Sequence, residues 1–245
     1  MMRRLLLPSL LLTTLCGPLC AGMDDDPEAG ELLTVFSRMS PTATYLDDTF
    51  DKPKERKITG PIGFGPGRGA EDDPADKALL FPDERIPETH VYYGPYVPMR
   101  GVFCLDFRLD TLPRDNNFMA LFSIGTPGNT CFTVRLYLDR TVRATLWTKR
   151  ERVTTLSDPV ELGQWHALRL YYGPEGSLLQ IDGAIEDYST DYSVPYAHNN
   201  SNAFYLGDQP WWDGNKRKGI FYPLDGFVGR LDNLRLERLE AVEKR

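Results

Sequence analysis

The stretch GQWHALRLYYGPEGSLLQIDG, residues 163–183, decides the fold. From Trp165 to Tyr172 the chain is rich in aromatic and β-favouring residues, and His166, Leu168, Leu170 and Tyr172 share one face by the two-residue period of a strand. Gly173-Pro174-Glu175-Gly176 supplies a reversal, since Pro and Gly meet turn dihedrals that other residues resist. Ser177 to Asp182 is the return strand, and Asp182-Gly183 opens the next turn. The stretch therefore reads as a β-hairpin.

The same period runs outward from it. Gly101 to Asp110 alternates cleanly, with Phe103, Leu105, Phe107 and Leu109 opposite Cys104, Asp106 and Arg108. Phe118 to Ile124 is apolar on both parities, as a central strand is. Pro127-Gly128-Asn129 then turns the chain towards Phe132, Val134, Leu136 and Leu138. Further strands are expected at Lys77–Phe81, Val142–Leu146, Glu151–Leu156, Ala184–Tyr188 and Ala203–Gly207. In the last, Gly226–Leu236, the apolar parity slips between Leu231 and Leu234, and a bulge at Asp232-Asn233 would return both halves to the core. Towards the N-terminus, Met23–Glu31 reads as an acidic disordered arm and Leu32–Phe36 as a first strand. Residues 40–77, dense in Gly, Pro, Asp and Lys, read as a long irregular connection holding one short strand at most. Many short strands and no convincing amphipathic helix give an all-β, two-sheet antiparallel sandwich.

The hairpin pattern WHxLxLxY…LxxxIDG resembles the middle of laminin G-like domains, members of the concanavalin A-like jelly-roll superfamily. Lys77-Ala78-Leu79-Leu80-Phe81, the Phe103-x-Leu105-x-Phe107 strand, Phe204-Tyr205-Leu206-Gly207 and the closing GFVGRLDNLRL (226–236) resemble the same family, in the same order. The resemblance spans roughly residues 31–238. It implies a jelly roll as one domain over 32–238, with the arm at 23–31 before it and a tail at 239–245. It also implies a non-catalytic recognition module for a glycan or an extracellular protein, with calcium as a candidate cofactor. A glycanase or lyase, or a structural or adhesive module, is the alternative.

Residues 1–22 open with Met1-Met2-Arg3-Arg4, continue through an apolar run and end in Ala21-Gly22, as a secretory signal peptide does. The run is too short to span a bilayer, so a secreted or periplasmic protein without membrane insertion is expected. The charge is unevenly placed: residues 23–88 carry sixteen Asp/Glu against eight Lys/Arg, and residues 89–245 nineteen against eighteen. Neither half has the basic stripe that nucleic acid requires. Beyond residue 22 the cysteines are Cys104 and Cys131, each on the polar parity of its strand. Were the two strands neighbours in one sheet, the thiols would share a face; a disulfide and two free thiols are both open.

Motifs for catalysis come up short. The nearest carboxylate string, Glu71-Asp72-Asp73-Pro74-Ala75-Asp76, lies in the Pro/Gly-rich excursion and cannot be a central strand. No G-x-S-x-G, H-E-x-x-H, P-loop or zinc-type spacing appears, and the one Gln-x-His, Gln164-Trp165-His166, falls at the start of the hairpin. His90, His166 and His198 are scattered, and His166 reads as a packing residue of the hairpin. Lys149-Arg150-Glu151-Arg152 is a charged edge or turn, and Asn199-Asn200-Ser201 a glycosylation sequon. The distinctive loop is GDQPWWDGNKRK, 207–218. Adjacent tryptophans cannot both point inward from a strand. Trp211 and Trp212 with Asp208, Gln209 and Tyr222 form either a sugar-stacking platform or a plug at the sandwich edge. Asp208, Asp213 and Asn215 are the oxygen donors available there for calcium.

Overall fold

The computed structural model describes residues 23–51, 57–82, 90–93, 97–114, 118–126, 129–196, 203–207 and 224–241. A 3₁₀ turn (Met23–Asp25) and a helix, α1 (Pro27–Ser37), precede β1 (Met39–Asp48), β2 (Lys57–Thr59), β3 (Gly63–Pro66), β4 (Lys77–Phe81) and β5 (His90–Tyr93). Then follow β6 (Gly101–Leu109), β7 (Phe118–Thr126), β8 (Asn129–Tyr137), β9 (Val142–Trp147), β10 (Arg152–Leu156) and β11 (Trp165–Gly173). The last are β12 (Gly176–Ile181), β13 (Ala184–Ser189), β14 (Ala203–Leu206), β15 (Leu224–Asp225) and β16 (Gly229–Ala241).

These strands form two sheets. Sheet A has the order β13-β12-β11-β6-β16-β4-β3, with β1 pairing β16 beyond the end of β4. Sheet B has the order β10-β9-β8-β7-β14-β5-β2, with β15 added in parallel to β7. Their inner faces meet in one apolar core. The alternation of β6 places Phe103, Leu105, Phe107 and Leu109 inward, and Phe103 stacks on Phe122 of sheet B with ring centroids 4.2 Å apart. Each such side chain contributes about 1.5–3 kcal/mol on burial. β7 is apolar on both parities because it is central and buried on both faces.

The hairpin forms as β11 and β12, closed by the pair Gly173↔Gly176. Gly176 is required there: its φ is +134°, and a Cβ would lie 2.2 Å from the carbonyl oxygen of Ser189. The expected bulge is also present. The β16–β6 register shifts between Asp232 and Arg235, Asn233 has φ +49°, and Leu231, Leu234 and Leu236 all reach the core.

Three N-terminal expectations need correction. The acidic arm and the strand at Leu32–Phe36 are instead helical. Asp26 caps α1 by accepting from the backbone N–H of Glu28 (2.9 Å) and Ala29 (3.4 Å), and Pro27 follows at the first helical position. Ala29, Leu32 and Phe36, at helical spacing, bury against Val102, Leu178, Ile185 and Leu239 on the outer face of sheet A, and Phe36 stacks on Tyr171. The excursion at 40–77 holds β1, β2 and β3 rather than one short strand. Its longest, MSPTATYLDD, is half exposed and buries only Asp48, so it carries no apolar period to read. Among the described residues no helix is long and apolar enough to cross a membrane.

Candidate functional site: a polar groove on the outer face of sheet A

The outward parity of sheet A is divided between two tenants. One half lies under α1, and beyond the helix the face opens into a cavity of about 540 Å³. Its floor is a single cross-strand row, Arg169–Cys104–Arg235–Asp47, running from β11 through β6 and β16 to β1. A second row pairs Ala167 with Asp106, and the Asp182-Gly183 turn and Arg68 close the groove at that end.

Most of the charges are already matched. Asp106 accepts from Arg68 Nη1 on one oxygen (2.8 Å) and from Asn233 Nδ2 on the other (2.9 Å). Asp182, held at φ +53°, accepts from the Ala167 N–H on Oδ1 (2.8 Å) and faces His166 Nδ1 from Oδ2 (2.8 Å). The other ring nitrogen of His166 faces the Glu161 carbonyl at 3.0 Å, and the ring is buried beside Phe107. An oxygen therefore faces each ring nitrogen, and His166 ties the hairpin to the Asp182 turn and to the Glu161 backbone, as its sequence context implies. Arg235 lies 3.6 Å from Asp47 and 3.9 Å from Glu237. Arg169 is exposed and makes no ion pair or hydrogen bond among the described residues. Cys104 sits between these two arginines; burial pushes its thiol up to about 11 despite the lowering effect of both guanidiniums.

Among solved structures, the chain is similar to domain 4 of a GH43 extracellular arabinanase from Geobacillus stearothermophilus, solved with arabinotriose, at TM-score 0.57 and 16% identity over 81% of this chain and 94% of that one. It is similar to an endo-β-1,4-glucuronan lyase from Trichoderma reesei at TM-score 0.52 and 10% identity, over 81% and 96% of the two chains. The binding domain of botulinum neurotoxin serotype D gives TM-score 0.56 and 7% identity, over 80% and 48%. The fold is a concanavalin A-like jelly roll. No protein-family model matches the sequence, and no curated protein matches it in sequence.

The jelly roll separates the two cysteines. Cys104 is on β6 in sheet A with its side chain outward, and Cys131 is on β8 in sheet B, buried in the core, where its Sγ lies 3.4 Å from the Ile124 carbonyl. Both are free thiols, so the shared face that a disulfide needs does not exist. Trp211, Trp212, Asp208, Gln209, Asp213, Asn215 and Tyr222 lie outside the described residues, as does Asn199. Among the described residues no group of three or more His, Cys, Asp and Glu side chains could hold a metal ion. The carboxylate string at 71–76 is a turn: Asp73 and Asp76 accept from backbone N–H groups, and burial, with Asp51 and Asp73 nearby, raises the Asp76 carboxyl. Lys149 and Arg150, read as a charged edge, lie over the rings of Tyr196 and Tyr192.

The outer face of sheet B is less open. Its Ser123 and Thr133 are fully buried, and the Arg135 guanidinium lies 4.4 Å from the Phe118 ring centroid and 5.8 Å from that of Trp147. The sequence shows the outward parity of Cys104, Asp106 and Arg108. It does not show that Arg169 and Arg235 flank Cys104, since those residues are separated by up to 131 positions and only strand order joins them.

Proposed function

We propose that this protein is an exported, non-catalytic recognition module that holds a glycan in the groove on the outer face of sheet A. One observation carries the reading: the groove is lined by donors and acceptors held at fixed positions by a strand ladder, with its inner carboxylates already bonded on both oxygens. Such an array suits the many hydroxyls of a sugar, and its rigidity lowers the ordering cost of binding. A carboxylate saturated in this way is an acceptor that positions a ligand, whereas a glycosidase acid must be free to give up a proton. The similarity to a jelly-roll domain solved with arabinotriose is consistent with a sugar ligand. An extracellular protein partner is the second class that the fold accommodates. Where calcium takes part, the donors proposed for it are Asp208, Asp213 and Asn215.

The test is a broad glycan array probed with the protein and two variants, each in calcium and in chelator. Ala167→Trp plugs the groove floor, and Trp211→Ala with Trp212→Ala removes the alternative platform. Binding that is lost with the plug and kept in the double variant is the expected result. The reverse pattern moves the site to the 207–218 loop, and silence across the array replaces the glycan with a protein partner.

A further inference from the structure

We propose, resting on the reading that the groove holds a glycan, that its ligand is an acidic sugar whose oxyanion seats on Arg169, with Arg235 reaching in from the far side of Cys104. Counting partners leads there. Arg68 is neutralised by Asp106, and Asp182 is matched to the Ala167 N–H and to His166. Arg235 shares two carboxylates at 3.6 and 3.9 Å, both longer than the bidentate contact that a guanidinium makes at its best. Arg169 is left as an exposed cation that, among the described residues, no carboxylate approaches within ion-pair distance. Asp106 and Asp182, the nearest along the ladders, are committed to Arg68 and Asn233 and to the Ala167 N–H and His166, respectively.

The other groups around it do not supply the missing charge. Cys104, directly between the two arginines, stays a neutral thiol at pH 7 because burial holds it at about 11. Gln180, on the opposite side of Arg169, is neutral and donates its amide to the Gly183 carbonyl. Arg169 and Arg235 are two strands apart, which sets their Cα atoms about 10 Å from each other. Two arginine side chains can converge on one carboxylate or sulfate from that spacing, while the planar fork of each offers paired N–H donors. Asn233, which lines the same groove, then flanks the charged group with an amide suited to a ring hydroxyl. A uronate and a sulfate ester present the same oxyanion chemistry, and the experiment separates them.

Calorimetric titration would use four probes: oligogalacturonate, its methyl ester as the uncharged twin, dextran sulfate, and plain dextran. Expected is at least about tenfold tighter binding of one acidic probe than of its neutral twin, the ratio that loss of a charge-assisted hydrogen bond implies. That preference should disappear in Arg169→Ala, be partly kept in Arg169→Lys, and shrink as salt is raised. Because Arg169 is exposed, the variants should melt with the parent. Preference for oligogalacturonate assigns a uronate, and preference for dextran sulfate assigns a sulfate ester. Equal binding of acidic and neutral twins, or an acidic preference that survives Arg169→Ala, overturns the proposal while leaving the glycan reading intact. Failure of both acidic probes where the glycan array is positive for neutral sugars also overturns it, and silence on the array removes both.

Discussion

Asp232 is fully buried beneath the bulge of β16, and both its oxygens are in use: Oδ2 accepts from the Arg68 N–H at 2.9 Å and Oδ1 from the Asn233 N–H at 2.7 Å. Burial nevertheless dominates, and with Asp76 and Asp106 nearby it pushes the carboxyl up to about 7. The sign follows from proton counting. Between about pH 4 and pH 7 the folded chain holds a proton at this site that the unfolded chain has released, so stability falls as pH rises through that window and levels off above it. A shift of this size corresponds to at most about 4 kcal/mol. Thermal melts from pH 4 to pH 8 should show this downward contribution, and Asp232→Asn should flatten it; an unchanged slope in the variant would place the titrating group elsewhere. The sequence shows the bulge through the parity slip after Leu231, because that pattern is local. It does not show that the loop bearing Arg68 comes down on Asp232, 164 residues away.

At the scale of elements, α1 tests how local signals are read. Asp26-Pro27 is a helix start, and Ala29, Leu32 and Phe36 recur at a helical spacing, so the cue was in the sequence but was masked by the acidic composition around it. β1 is the opposite case: only Asp48 of it is buried, and it is a strand because β16 offers it an edge. Phe36→Ala should loosen α1 from sheet A, removing the stack on Tyr171 and about 3–5 kcal/mol of packing. Asp26→Ala should cost about 1 kcal/mol through the lost cap. In both, amide hydrogen exchange should quicken in α1 well before the core strands β6 and β7 respond. Equal acceleration throughout would mean that the helix is part of the global folding unit.

For the whole molecule, the assignment of strands to sheets decides what side chains meet. With Cys104 outward on sheet A and Cys131 in the core, a reducing agent should leave the melting temperature of the chain from residue 23 onward unchanged. Thiol titration should find Cys131 blocked until denaturant is added, burial holding it near 12 in the fold. By itself the sequence determined the two-residue period of the central strands, the Gly173–Gly176 reversal and the slip in β16. It thereby determined a two-sheet β-sandwich, since each of these is set by whether neighbouring side chains face water or core, and the order of the motifs resembling laminin G-like domains implied the jelly roll. Tertiary structure alone decided the groove. Asp47, Cys104, Arg169 and Arg235 come from four strands scattered along the chain, and only the hydrogen-bonded order of sheet A lines them up in one row. Periodicity reports which face a residue takes, and pairing across the sheet decides which residues it meets there.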